Sequence, residues 1–308
     1  SNCFEQAILT KPNPDTTVYD LRKFFKLATT NNPTILETMF VRPEHQLMVS
    51  KLGEKLIDNR DLFLSKRVRW TFAGFANSAI KRVKLHRQYL LNPQKKKPER
   101  KDFNLPEIFE IKQSVMQAIQ AEINKLIAKF NFNFLHDLAP DERIALSSQV
   151  EEMLVELKIT KDEMYELYGK KLGFDDKIIN ILQKEREFAS SIESWRKYQD
   201  WLKNRNPDRA ANEAKFGYDT KWGYHIVRLY RTCEELLETG KVNVWREDAE
   251  ELKEIRKGSW DFDKLIDFSE KSDLKIQNLY NTSQVLPHHP PINKLNNLCQ
   301  QLIEESFQ

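Results

Sequence analysis

The sequence has few of the residues that mark several common protein classes. Its three cysteines, Cys3, Cys233 and Cys299, are odd in number and far apart, which fits neither a disulfide framework nor a zinc site. We therefore expect a reducing, cytoplasmic environment. No apolar run approaches the roughly 18 residues that span a bilayer, so no membrane partner is expected. Only eight glycines occur, beside abundant Leu, Lys and Glu, and this composition favours helix.

Length and charge narrow the class further. The chain has 308 residues, enough for two domains or one large one. Charged residues make up 31% of it and hydrophobic residues 40%, as in an ordinary globular protein. The net charge is only +3. Any affinity for nucleic acid must therefore come from a local basic patch and not from the overall charge.

Apolar spacing predicts helix along most of the chain. The first helix is expected to begin at a capping box, Thr17-x-x-Asp20, and to end before Pro33, which suits the first turn of the next helix. Gly74 falls within a predicted long helix and indicates close contact with another helix. Residues 3–10 predict the end of a strand, and residues 241–245 alternate as in a short β-segment. The other predicted helices cover residues 51–66, 68–91, 174–204, 248–257, 260–281 and 292–307, with helical periodicity throughout 106–206.

One stretch, residues 215–231, joins a glycine-containing turn to a helix with a basic row. Lys221, His225 and Arg228 share one helical face, with Arg231 at its edge. Such a row suits phosphate or another anion. The competing explanation is a solvated face, in which Glu235 neutralises Arg231 from four residues away. The opposite arc is predicted to lie in the core: Ile226, Leu229, Tyr230, Cys233, Leu236 and Leu237.

A second basic segment, residues 81–101, carries Glu99 as its only acidic residue. Aromatic rings are interleaved with its cations, an arrangement that single-stranded nucleic acid can use for stacking. A solvated, flexible lysine loop is the alternative explanation. The candidate nucleic-acid contacts are Arg82, His86, Arg87, Tyr89, Lys95, Lys96 and Lys97.

Several stretches in register resemble one known family, the predicted nucleotidyltransferases of the DNA polymerase beta superfamily that are linked to RNA repair in bacteria and phages. The resemblance runs from about residue 15 to residue 300. It is carried by Tyr19-Asp20-Leu21-Arg22-Lys23-Phe24, Asn32-Pro33-Thr34-Ile35-Leu36-Glu37, Phe72-Ala73-Gly74-Phe75-Ala76, His86-Arg87-Gln88-Tyr89-Leu90-Leu91-Asn92-Pro93, Lys215 to Arg231, Leu237-Glu238-Thr239-Gly240, Ile255-Arg256-Lys257-Gly258 and Leu286-Pro287.

The resemblance implies Mg²⁺-dependent transfer of a nucleotide from an NTP to a nucleic-acid or other acceptor. In such proteins a Gly-Ser turn holds the phosphates, and an Asp-x-Asp strand with a third carboxylate holds two Mg²⁺ ions. That arrangement is missing upstream of Tyr19. The pair Gly258-Ser259 before Asp261-x-Asp263 stands in a helical context and is interpreted as coincidence. Asp15 is where the third carboxylate would fall, although a position beside a helix N-cap also explains it.

The chain is therefore expected to be either a fragment or a natural remnant of such a protein. We predict a mainly α fold with at most a few short strands, left from an α/β nucleotidyltransferase domain near the N-terminus. The predicted division is 1–45 for that remnant, 46–206 for a helical domain with the basic loop 81–101, and 207–308 for a C-terminal helical region.

In this interpretation the chain supplies the part that binds a nucleotide, RNA or tRNA, and it is inactive alone. The alternatives are a non-catalytic helical module that binds nucleic acid, or one that binds a protein partner at its N-terminal end. Tyr218 would stack on a base or ribose, and Asp219 would orient Lys221 or cap the helix. The candidate phosphate-binding residues are Lys215, Tyr218, Asp219, Lys221, His225, Arg228 and Arg231.

Overall fold

The computed structural model describes residues 6–9, 16–107, 121, 170 and 176–307. The chain divides into two compact units. Unit 1 combines Ser1–Lys84 with Asn212–Gln308, and unit 2 is Leu85–Ala211. The three-part division drawn from the sequence stays a prediction.

Helices dominate the described residues, which confirms the mainly α fold class. Two short strands, β1 (Gln6–Leu9) and β2 (Thr16–Tyr19), pair antiparallel with Ile8 opposite Thr17. A π-helical turn at Arg69–Ala73 leads directly into the fourth helix. In chain order the helices are α1 (Leu21–Thr29), α2 (Pro33–Thr38), α3 (Lys51–Asp58), α4 (Gly74–Leu91), α5 (Asp176–Lys203), α6 (Pro207–Phe216), α7 (Thr220–Thr239), α8 (Ala249–Arg256), α9 (Phe262–Thr282) and α10 (Ile292–Glu305).

The first two helices are set by local caps. The Asp20 carboxylate accepts the backbone N–H of Arg22 at 2.6 Å and so begins α1. The predicted capping box was wrong, because Thr17 lies in β2, where its extended backbone pairs with β1. Pro33 occupies the first turn of α2 as predicted, behind the N-cap Asn32. The starts of α1 and α2 are therefore set by the side chains of Asp20 and Asn32, which cap the free backbone N–H groups of each first turn.

Helix α7 is the central helix of unit 1. It packs against α8, α9 and the π-helical turn. The predicted apolar arc is confirmed, since each of its members is at most 1% exposed. These are Ile226, Leu229, Tyr230, Cys233, Leu236 and Leu237. Period-3.6 spacing alone located this surface because a helix buried on one side must repeat its apolar residues at that interval.

The N-terminal helices belong to the same core. Phe25 and Ala28 of α1 and Leu36 of α2 are buried in the cluster that includes the apolar side of α7. The connection between α1 and α2 turns at Asn31, which has a φ of 55° and is fully buried. The Ser65 hydroxyl donates to the Asn31 side-chain oxygen at 2.6 Å. This buried amide therefore ties the start of unit 1 to the segment that precedes α4.

Three local predictions were wrong. Residues 241–245 form an irregular loop and not a strand, since β1 and β2 are the strands that pair within the described residues and neither pairs with this segment. Gly74 does not mark a close helix contact, since a Cβ built there meets nothing within 4 Å. The helix expected over 51–66 ends at Asp58 and is followed by a 3₁₀ turn, Arg60–Phe63.

Unit 2 is described through α5, the end of α4 and the loop between α4 and residue 107. Helix α5 agrees with the helix predicted over 174–204. Arg100 of the loop makes a two-pronged ion pair with the buried Glu185 of α5, with one N–O distance of 3.0 Å. Most of the helical periodicity seen in the sequence between 106 and 170 lies outside the described residues.

No helix in the described ranges is long and apolar enough to cross a bilayer.

Candidate functional site

The turn that precedes α7 is a tightly packed corner. Gly217 adopts a φ of 77°, which a residue with a side chain rarely takes. Asp219 is the N-cap, and its carboxylate accepts the backbone N–H of Lys221 at 2.9 Å. The Thr220 hydroxyl donates to the backbone carbonyl of Arg256 at 2.7 Å. The corner is therefore fastened to the end of α8.

Tyr218 lies inside this corner. It is 1% exposed, and its hydroxyl donates to the backbone carbonyl of Trp260 at 3.0 Å. A Cβ added to Gly223 would come within 2.7 Å of the Tyr218 ring. Burial, helped by the nearby Asp261 carboxylate, raises the pKa of Tyr218 to about 12. The ring is thus enclosed by protein and has no face on which a base or ribose could stack.

Two arginines of the predicted anion row are held in ion pairs. Arg228 donates to Glu37 of α2 at 2.6 Å, and both side chains are largely buried. Arg231 pairs with Asp248 at 2.7 Å and with Glu251 at 2.8 Å. Arg231 is therefore occupied by α8 and its N-cap.

The expected neutralisation of Arg231 by Glu235 was wrong. Glu235 instead accepts from Arg246 at 2.7 Å, and Arg246 also pairs with Asp248 at 2.8 Å. Burial by itself would raise the pKa of Asp248, but hydrogen bonds from Arg246 and Arg231 reverse this effect and hold the pKa below its usual value. This network fastens the loop after α7 to the start of α8, which is a structural role.

His225 and Lys221 remain at the surface of α7. Lys221 is exposed and His225 is half-buried. Burial lowers the pKa of His225, and the positive charges of Arg228 and Lys221 lower it further. The imidazole is therefore neutral at physiological pH and sits among cations, an environment that a bound anion would relieve.

A third permanent cation reaches this surface from α4. The guanidinium carbon of Arg82 lies 5.1 Å from the centre of the Trp222 ring. Trp222 in turn contacts the His225 ring edge to face, with centroids 5.9 Å apart. We call Arg82, Lys221, His225 and Arg228 the basic face. It lies within unit 1, and Glu37 offsets one of its three permanent positive charges.

Sequence reasoning placed Arg82 in a different candidate site and missed Trp222. No local signal could have joined them, because Arg82 and Trp222 are 140 positions apart and belong to different helices. Lys215 lies close to the basic face along the chain. Its side chain is exposed, and its ammonium lies 4.9 Å from the Phe216 ring centre.

The other candidate nucleic-acid contacts lie in unit 2. Tyr89 is only 6% exposed, and burial raises its pKa. Lys96 pairs with Asp102 at 3.2 Å, while Lys95 and Lys97 are exposed. His86 and Arg87 are half-buried on α4. Tyr89 is thus a packing residue in this unit, and the exposed cations come from the lysine loop.

The carboxylates needed for Mg²⁺ are not gathered anywhere in the described ranges, where no group of three or more His, Cys, Asp or Glu side chains could hold a metal ion. Asp261 caps α9 by accepting the backbone N–H of Lys264 at 2.7 Å. Asp15 lies outside the described residues. Because the donor set does not fit two Mg²⁺ ions, no step is assigned to a metal.

Comparison with known families bears on the N-terminal third of the chain. Residues 9–103 match the model of RlaP, the RNA repair pathway DNA polymerase beta family. The match is a similarity of these residues to that family. No curated protein and no solved structure matches the chain. The polymerase beta match includes Glu37 and Arg82, which contact α7, although α7 itself lies beyond the matched residues.

The match over residues 9–103 confirms the resemblance found in the sequence and supports a nucleotidyltransferase-type function.

Proposed function

We propose that the chain is the helical, phosphate-binding part of a polymerase beta-type nucleotidyltransferase that acts in the cytoplasm on a nucleotide and an RNA acceptor. The observation that carries this proposal is the meeting of Arg82, from the family-matched segment, with the basic row of α7 at Trp222. Cations from two helices thereby converge on one surface.

The basic face suits phosphate for electrostatic reasons. Lys221 is an exposed ammonium, and Arg82 presents a planar guanidinium group that matches phosphate oxygens. Arg228 adds positive charge that its ion pair with Glu37 partly offsets. Trp222 offers an aromatic surface beside them, which could contact a base or sugar. The neutral His225 can bind a proton when an anion arrives, which adds a further favourable charge.

The sequence favours a binding role over a catalytic role for this chain. Nucleotidyl transfer in this superfamily needs carboxylates for two cations, and no Gly-Ser turn with a strand-borne Asp-x-Asp occurs in the 308 residues. We therefore assign binding to this chain and expect it to be inactive by itself. Mg²⁺ would enter with the NTP or through groups other than those of the basic face.

Lys221→Ala should weaken NTP binding about tenfold, as expected for loss of one charge-assisted contact. Lys221 is exposed and caps no helix with its side chain, so the thermal midpoint should stay unchanged. Isothermal titration with each of the four NTPs, with and without Mg²⁺, measures the effect.

The matched control is Lys294→Ala, an exposed lysine on α10. It should bind NTP like the unmodified chain. Equal affinities for both variants would contradict the proposal. Arg228→Ala is a less clean test, because it leaves the largely buried Glu37 without its ion-pair partner and should lower stability as well as affinity.

His225 should make stability depend on pH. Its pKa in the folded chain lies below the ordinary value of 6.5, so the unfolded chain binds the proton more readily. The free energy of unfolding should therefore fall as the pH drops from about 7.5 to about 5.5. Urea unfolding at several pH values should show a smaller fall for His225→Gln.

The same residue links pH to binding. A phosphate on the basic face favours the protonated imidazole, so NTP affinity should rise on acidification more for the unmodified chain than for His225→Gln. The NTP itself changes protonation equally in both experiments. The difference in affinity between the two chains therefore measures the contribution of His225. Parallel pH profiles would place His225 away from the ligand.

A further inference from the structure

The C-terminal half of α5 builds an aromatic group with the end of α4. Tyr89 meets Tyr198 edge to face, with ring centroids 5.3 Å apart, and lies 5.3 Å from Trp201. His86 lies 5.5 Å from Trp201. All four rings belong to unit 2, and two of them come from α5.

The rings differ in exposure. Tyr89 and Tyr198 are buried, whereas Trp201 and His86 are half-buried. The guanidinium carbon of Arg205 stands 4.2 Å from the centre of the Trp201 ring. The two tyrosines therefore form the buried part of the aromatic group. Trp201 and Arg205 form a planar cation–aromatic pair at its surface.

The basic loop lies beside this pair. Gln199 of α5 donates to the backbone carbonyl of Gln94 at 3.4 Å, which holds the start of the loop against the helix. The ammonium of Lys97 is 6.0 Å from the ring centre of Trp195, which precedes Trp201 on α5. Lys95, Lys96 and Lys97 are all exposed, and the contacts of Gln94 and Lys97 place their positive charge beside α5.

We propose that Trp201, Arg205 and the loop Lys95–Lys97 bind unpaired nucleotides of a nucleic-acid strand. A base would stack on the Trp201–Arg205 pair while the loop lysines neutralise the neighbouring phosphates. Aromatic rings interleaved with cations bind single strands because every base has a π-face once it is unpaired. The RNA repair description of the matched family favours RNA as the source of the strand.

This assignment changes the role that the sequence indicated for Tyr89. The Tyr89 ring is buried and cannot stack on a base. In this proposal Trp201 is the ring on which a base stacks. The site consists of residues of unit 2, whereas the basic face consists of residues of unit 1. Strand binding and NTP binding are measured independently, so either proposal can fail while the other holds.

Trp201→Ala should raise the Kd for a labelled short oligouridine about tenfold, the loss expected when one stacking ring is removed. Trp201→Phe keeps a ring and should lose much less. The matched control is Trp245→Ala, because Trp245 is a 54% exposed tryptophan of unit 1 that also has an arginine, Arg42, over its ring at 4.6 Å. Fluorescence anisotropy gives the affinities, and near-ultraviolet circular dichroism checks that each variant is folded.

Replacing Lys95, Lys96 and Lys97 with Gln tests the phosphate contacts. The slope of log Kd against log salt should become shallower by about 2, because each lost phosphate contact on a single strand contributes about 0.7. An unchanged slope would show that the loop lysines do not contact phosphate. Since all three side chains are exposed, this variant should fold normally.

Crosslinking locates the contact even if Trp201→Ala fails to fold. Oligouridine with 5-iodouridine, irradiated on the unmodified chain, should give a peptide adduct within α5 that contains Trp201. Adducts confined to unit 1, or a duplex that binds as tightly as the single strand, would overturn the proposal and leave the aromatic group as packing between α4 and α5. Parallel titrations with oligouridine and its deoxy counterpart show whether RNA or DNA is the preferred source.

Discussion

Gly258→Ala should lower the free energy of unfolding by about 3 kcal/mol. Gly258 has a φ of 96°, a backbone conformation that strains any residue with a Cβ, and a Cβ there would lie 2.2 Å from the Phe216 ring. Phe216 ends α6 just before the corner at Tyr218, so the clash would loosen the start of α7. Calorimetry should show a fall in the melting midpoint of roughly 6 to 12 °C.

Gly74→Ala is the matched control. Gly74 is helical and a Cβ there meets nothing within 4 Å, so the change should be neutral or stabilising by up to about 1 kcal/mol. The cost of Gly258→Ala should also shrink when Phe216 is first replaced by Ala, because the steric part disappears and only the backbone strain remains. A Gly258→Ala chain as stable as Gly74→Ala would show that the close approach to Phe216 does not exist in solution.

Tyr218→Ala should cost about 3 to 5 kcal/mol, as large-to-small changes of buried aromatic residues do. The ring is enclosed by the corner, so its removal leaves a cavity beside Gly223. Tyr218→Phe should cost only about 1 kcal/mol, since it removes one hydrogen bond and leaves the carbonyl of Trp260 without that donor. Guanidinium unfolding of the three chains gives both values.

The same pair decides whether Tyr218 contacts a ligand. The buried position predicts that Tyr218→Phe binds NTP like the unmodified chain. A loss of NTP affinity in Tyr218→Phe without loss of stability would instead restore the stacking role that the sequence suggested. Lys221→Ala serves as the positive control in this comparison, because it should lose affinity while keeping its stability.

Much of the fold could be predicted from the sequence because it depends on neighbours along the chain. The apolar arc of α7, the position of Pro33 in the first turn of α2 and the extents of α9 and α10 all follow from spacing within a helix or from local caps. The family resemblance was likewise a property of short stretches in register, and residues 9–103 confirm it. The predicted start of α1 was wrong because Asp20, and not Thr17, caps this helix.

The candidate site depended on contacts that no local pattern records. Spacing placed Lys221, His225 and Arg228 on one face, but it gave no means of knowing that Arg228 meets Glu37, 191 residues away, or that Arg82 reaches Trp222. It also assigned Glu235 to Arg231, whereas the loop after α7 brings Arg246 to Glu235 and α8 brings its own carboxylates to Arg231. Ion pairs between elements form wherever packing brings charges together, and this packing depends on the whole chain and not on neighbouring residues.

The sequence alone thus determined the helical class, the buried side of α7 and the family resemblance of the N-terminal segment, since each is encoded within a few turns of chain. Only the tertiary structure decided which polar residues of residues 215–231 remain available to a ligand. It buried Tyr218 and Asp219 and paired Arg228 and Arg231, because these side chains met partners from α2, α8 and the segment before α9. Lys221 and His225 stay at the surface, and Arg82 joins them from α4.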